Sequence, residues 1–160
     1  MSGPLTPALL RLIDEQRFGF IATVNADGGP NVSPKGTFLA LDESTIAFAE
    51  MRSPATVENI ARDMRVEVNM VDVFARKGAR FRGSARYVAR GEPEFDRLYP
   101  RWQAIWSNGL GALFNGFVVI TVASAAPLTS PAYDIGADER GLREDWLAKH
   151  TAIQRRHLDG

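Results

Sequence analysis

No cysteine occurs in the 160 residues, which removes disulfide frameworks, thiolate nucleophiles, zinc–cysteine sites and cysteine-ligated iron–sulfur clusters together. The same lack suits a reducing compartment, so a cytoplasmic setting is expected. Histidine is nearly as scarce: the only two, His150 and His157, fall close to the end of the chain. They are too few for a multi-histidine metal centre. Neither has an obvious orienting partner and no serine sits in a nucleophile-elbow context, so a serine–histidine–carboxylate triad is not expected. Net charge is missing as well. Nineteen basic residues offset nineteen acidic ones, so no global field draws the molecule toward nucleic acid or an anionic membrane. No run is apolar enough to span a bilayer, and Met1 to Pro7 lacks the basic and apolar regions of a secretory leader. The glycines form neither a Walker loop nor a dinucleotide fingerprint.

The chain does have the composition of a folded globule, with 45% apolar and 24% charged residues, and its length suits one domain over 1–160. Thr6-Pro7 reads as a helix N-cap and first helical position, with Leu9, Leu10 and Ile13 at helical spacing. Phe18 to Val24 is a strand, and Asn25-Ala26-Asp27-Gly28-Gly29 a hairpin turn. The return arm runs from Pro30 to Leu41, and its two prolines mark an edge or bulged strand. Further strands are expected at 45–50, 65–73, 79–88 and 117–122, with a short helix after Ser53-Pro54. Phe95, Leu98, Tyr99, Trp102 and Trp106 recur at helical intervals around Pro100, and an amphipathic helix closes the chain. Six short strands with peripheral helices predict an α+β fold built on a mainly antiparallel barrel, with its core at 18–126 and a C-terminal helix at 137–158.

Four segments carry candidate chemistry. In Asn31-Val32-Ser33-Pro34-Lys35-Gly36 a cation and a hydroxyl stand at the end of a stiffened strand, and Gly36 permits close backbone approach. The segment either grips an anion or is a solvated lysine beside a proline bulge. Arg52-Ser53-Pro54-Ala55-Thr56-Val57-Glu58-Asn59 sets a guanidinium and two hydroxyls beside the unpaired N–H groups of a helix start, which suits phosphate; plain capping by Ser53 explains it equally. Arg80, Arg82 and Arg86 share one strand face, opposite Phe81 and Tyr87. They serve a phosphate-bearing cofactor, a single-stranded nucleic acid or solvent alone, and zero net charge disfavours nucleic acid. The aromatic stripe Phe95, Tyr99, Trp102 and Trp106 either covers a planar ring or belongs to a core or subunit interface.

Taken in order, FIATVNADGGPNVSPKG, TIAFAE, SPATVENIARDMRVEVNM and RFRGSARYV resemble the pyridoxamine 5'-phosphate oxidase-like, FMN-binding split-barrel superfamily over roughly residues 18–90. The tail PLTSPAYDIGADERGLREDW is similar to a compact branch of it. The resemblance implies a split β-barrel homodimer with two equivalent flavin sites lined by both subunits. Ser33, Lys35 and Gly36 are then expected along the flavin, and Ser53, Thr56 and Asn59 on the helix whose start holds the phosphate, with Arg52 assisting. Arg80 and Arg82 match the strand beside the ligand. This chain has Ala55-Thr56 where pyridoxamine phosphate oxidases carry an arginine-lysine pair, and it lacks their arginine-leucine-histidine-aspartate-arginine stretch, so vitamin B6 phosphate is not the expected substrate. The function implied is FMN-dependent oxidation or reduction of a small molecule, with no membrane or nucleic-acid partner. The alternatives are a deazaflavin-dependent reductase and a non-catalytic flavin-binding protein.

Overall fold

The computed structural model describes residues 3–160; Met1 and Ser2, part of the opening segment read above, lie outside them. The first helix, α1 (Pro7–Gln16), forms as its sequence dictates. The Thr6 side chain accepts the Leu9 N–H, Pro7 occupies the first turn, Leu9 and Ile13 are buried, and Arg17 ends the helix in the left-handed region at φ 54°. Strands β1 (Gly19–Val24) and β2 (Pro30–Lys35) make the expected hairpin, from Val24 opposite Pro30 to Gly19 opposite Lys35. Gly28 supplies the positive φ of 84° that its turn requires.

Beyond Lys35 the structure departs from the expected single return arm. The chain leaves the sheet at Gly36, and the Phe38 N–H donates to the Arg17 carbonyl at 3.0 Å. It rejoins at the far edge as the two-residue β3 (Leu39–Ala40), paired with β4 (Thr45–Glu50). After α2 (Pro54–Arg62) come β5 (Arg65–Asp72), β6 (Lys77–Ala89), α3 (Pro93–Gln103), β7 (Gly116–Thr129) and α4 (Glu139–Leu158). The sheet therefore has seven strands, not six, in the order β2-β1-β5-β6-β7-β4-β3, antiparallel throughout and open at its β2 and β3 edges. Pro30 and Pro34 lie on one of those edges, where a missing N–H costs no ladder bond.

The sheet curls, because six of its strands feed one core. Ile21, Phe48, Val68, Phe81 and Ile120 converge there with Ile13 of α1 and Ile60 of α2. A second core on the opposite face puts Phe95, Leu98 and Trp102 of α3 against Phe117 and Val119 of β7. The long strands β6 and β7 join the two. Their register shifts between Arg82 and Gly83, leaving Ala123 without a partner, so inward-facing positions change phase from Val118, Ile120 and Val122 to Ala125. Gly83 lies against this irregularity, and a Cβ there would come within 2.0 Å of the Thr121 carbonyl oxygen.

The final helix α4 buries none of its residues fully. It is fastened to the β5–β6 hairpin by charge: Arg143 pairs with buried Asp72 at 2.8 Å and with Glu139 at 2.9 Å, and Lys77 reaches Glu139 at 2.7 Å. The Arg76 guanidinium adds a contact 4.2 Å from the Trp146 ring centroid. No helix among the described residues is long and apolar enough to cross a membrane.

The close approach at Gly83 makes a sharp test. Gly83→Ala is expected to lower the unfolding free energy by roughly 1–3 kcal/mol through overpacking. Chemical denaturation measures it, and wild-type stability in the variant would contradict the packing described.

Candidate functional site

The departure of the chain from β2 creates a cleft. One wall is the end of β2 and the step beyond it, Ser33 to Thr37; the other is the turn from β4 into α2, with Ala49, Met51, Arg52 and Ser53. Leu110 and Leu113, from the 3-10 turn Leu110–Leu113, close a third side. The cavity measures about 570 Å³, within the range of small-molecule sites. A groove of about 510 Å³ between α1, β6 and α4 is comparable in size, but the charges along it include Asp72, Lys77, Glu139 and Arg143, already paired with one another.

Thr37 ties the two walls together. Its hydroxyl accepts the Ala49 N–H at 3.0 Å and donates to the Ala49 carbonyl at 3.3 Å. Its own carbonyl accepts the indole N–H of Trp102 at 2.8 Å. Trp102 is fully buried and Phe95 nearly so, while Tyr99 and Trp106 pack on the same core. The aromatic stripe is thus core, and it braces the cleft from behind.

Lys35 is half-buried within the wall. Its Nζ donates to the Ser33 hydroxyl at 2.6 Å and lies 5.6 Å from the centroid of the Phe48 ring. Burial pushes the Lys35 pKa below the usual lysine value, and the negative charge of Glu50 offsets part of that effect. Glu50, the last residue of β4, is only 4% exposed. Its carboxylate accepts the Ser53 N–H at 2.5 Å and the Ser53 hydroxyl at 3.1 Å, and Asn115 donates to its other oxygen at 3.4 Å. Ser53 precedes α2 but makes no side-chain cap; its hydroxyl is turned back to the carboxylate. The capping alternative read from the sequence does not describe this serine.

Of the nine residues singled out in the sequence, Ser33, Lys35, Gly36, Arg52 and Ser53 line this cleft together. Thr56 and Asn59 do not; they lie on the buried face of α2. Asn59 accepts from Arg62 and donates to the Asn25 side-chain oxygen Oδ1 at 2.9 Å and to the Thr23 hydroxyl at 3.0 Å, bonds that join the helix to β1 and the turn after it. Arg80 and Arg82 stand on the exposed sheet face, paired with Glu67 at 3.0 and 2.5 Å, and Arg86 pairs with Glu94 at 2.6 Å. Sequence reasoning missed Thr37, Glu50, Leu110 and Leu113. Only Glu50 had a visible signal, as a lone carboxylate ending the apolar run TIAFA.

A family model described as pyridoxamine 5'-phosphate oxidase matches residues 5–140. No curated protein matches the chain. Among solved structures, HupZ of Group A Streptococcus is 28% identical, with 79% of this chain and 95% of that one covered and a TM-score of 0.65. An FMN-binding protein of Syntrophomonas wolfei is 16% identical, covering 76% of this chain and 84% of that one, with a TM-score of 0.61. HutZ, the haem storage protein of Vibrio cholerae, is 20% identical over 78% of this chain and 94% of that one, also with a TM-score of 0.61. The last two likenesses are of fold alone.

The lowered Lys35 pKa fixes the sign of a pH effect. The unfolded chain holds this proton more tightly than the folded one, so stability rises with pH between the lowered value and the ordinary value of 10.5. Lys35→Met is expected to stabilise the protein at pH 7, with an advantage that shrinks as pH approaches 10.5. Denaturant melts across that range check it; an advantage independent of pH would contradict the burial argument.

Proposed function

The chain belongs to the pyridoxamine 5'-phosphate oxidase family, and from that premise we propose that it is an FMN-dependent oxidoreductase of a small molecule, acting as a cytoplasmic homodimer. The observation that carries the reading is the convergence of Ser33, Lys35, Gly36, Arg52 and Ser53 on one cleft of about 570 Å³. Its apolar walls suit a planar ring, and its two cations, Lys35 and Arg52, suit the negative charge of a phosphorylated ligand. Arg52 and the Ser53 turn would hold the phosphate at the start of α2, where the charge of Arg52 matters most, because Pro54 has no N–H and the Thr56 and Val57 amides donate to the Ser53 carbonyl. Lys35 would face the polar edge of the ring system, where a cation stabilises negative charge. FMN when bound supplies reversible hydride transfer, and the protein supplies binding and electrostatics.

Nothing in the cleft lining acts as a strong general acid or base, apart from Lys35. This fits a reaction in which the cofactor carries the chemistry. Ala55 and Thr56, with no cation between them, begin α2 where the oxidases of pyridoxamine phosphate carry an arginine-lysine pair, which favours another substrate. Neither His150 nor His157 lines the cleft; both belong to α4, so an imidazole ligand for haem iron is not offered there.

The homodimer part of the reading rests on the outer face of β1 and β2. Phe18, Phe20 and Val32 are 50, 46 and 62% exposed, and the Phe18 and Phe20 rings meet edge to face at 5.3 Å. Phe18 is also the nearest side chain to the Gly36 position, so this apolar surface runs into the cleft. A second copy seated on it would cover both.

Two variants test the reading. Lys35→Ala is expected to weaken FMN binding about tenfold, a loss of about 1.4 kcal/mol, in a fluorescence titration; undiminished affinity would remove Lys35 from the site. Phe20→Glu is expected to give monomers in sedimentation velocity and to lose FMN affinity with the dimer. A Phe20→Glu monomer that binds FMN as wild type does would show that one chain suffices.

A further inference from the structure

Behind the Ser53 wall of the same cleft lies a charge that opposes the ligand the cleft is proposed to take. Glu50 is a carboxylate withdrawn from solvent, and two donors that a phosphate at the Ser53 turn would use, the Ser53 N–H and hydroxyl, are already bonded to it. Asn115 fixes it from the other side, donating from one amide nitrogen to the Glu50 carboxylate at 3.4 Å and to the Met51 carbonyl at 2.8 Å. The turn from Glu50 to Ser53 is therefore wound around a negative charge. Against it stand the two cations of the cleft lining, Lys35 and Arg52, and the field of Glu50 already acts on Lys35. The three groups together leave one net positive charge, whereas a flavin 5'-phosphate near neutral pH carries close to two negative charges.

We propose that Glu50 is a specificity-determining residue that limits how much the 5'-phosphate contributes to flavin binding, so that the ring supplies most of the affinity and the flavin exchanges with the free pool. The inference rests on the flavin reading above and adds to it. A phosphate entering beside Arg52 meets a fixed like charge and must compete for amide and hydroxyl donors that the carboxylate occupies. A flavin without the phosphate meets neither obstacle. Glutamine at position 50 keeps an oxygen to accept from Ser53 while removing the charge, and it gives up only the long 3.4 Å contact from Asn115, which retains its bond to the Met51 carbonyl, so it separates electrostatic opposition from most of the structural support.

The test is a calorimetric comparison of FMN and riboflavin on the full-length wild type and Glu50→Gln. In the wild type FMN is expected to bind no more than about tenfold tighter than riboflavin. In Glu50→Gln the FMN affinity is expected to rise about tenfold, 1.4 kcal/mol, with riboflavin affinity unchanged. An unchanged or smaller ratio in the variant overturns the proposal, as does an equal loss for both ligands, which would make Glu50 a strut and nothing more. Should the variant fail to fold, the wild-type ratio decides alone: a preference of about a hundredfold or more for FMN overturns the proposal. Wild type that binds neither flavin overturns the flavin reading itself, an outcome distinct from a wild type that binds FMN while Glu50→Gln leaves the ratio unmoved.

Discussion

The cleft depends on Thr37. Where the chain abandons β2, nothing in the sheet ladder obliges the segment from Lys35 to Phe38 to stay beside the end of β4. The two hydrogen bonds between the Thr37 hydroxyl and Ala49 bind these walls, and the Trp102 indole secures the Thr37 carbonyl from behind. All three bonds are buried. A buried polar group without a partner costs far more than a partnered one gains, so the arrangement is held as a unit and the position of Lys35 follows from it.

Burial of charge is the second constraint, and it is handled differently in different regions. On the outer sheet face Arg80 and Arg82 share the Glu67 carboxylate, and at the α4 junction Arg143 spans Asp72 and Glu139. Those groups are spoken for, and the exposed pairs among them contribute little stability. In the cleft wall, by contrast, the Lys35 ammonium donates to a neutral hydroxyl, and behind it the Glu50 carboxylate is satisfied by Ser53 and Asn115. Charges paired with neutral dipoles remain available to a ligand's field in a way that closed ion pairs do not. This difference, more than the number of cations, separates the cleft from the basic strand.

Much of the architecture was legible in the sequence. Thr6-Pro7, the Asn25 to Gly29 turn and the Ser53-Pro54 step each marked an element boundary, because each is a local backbone preference that the tertiary structure had no reason to override. The return arm was misread as one strand because β3 is two residues long, too short for periodicity to register, and its place at the opposite edge is set by Phe38 entering the core. The site divided along the same line. Ser33, Lys35, Gly36, Arg52 and Ser53 were singled out from local chemistry and resemblance, and the fold brings them to one cleft. Asn59 has a fitting chemistry but spends its side chain on Thr23 and Asn25, thirty-six and thirty-four residues away, a commitment visible only once α2 is docked on β1. Leu110 and Leu113 enter the cleft through the packing of the segment after α3, which no short pattern specifies.

The central claim is that one cleft, built by Thr37 and charged by Lys35 and Arg52, receives a flavin. It is tested most directly by the visible absorption spectrum of the purified protein after reconstitution, with the released chromophore identified by mass. The account predicts a flavin spectrum and the mass of FMN, one per chain. A protein that stays colourless in the presence of FMN and of deazaflavin would contradict it.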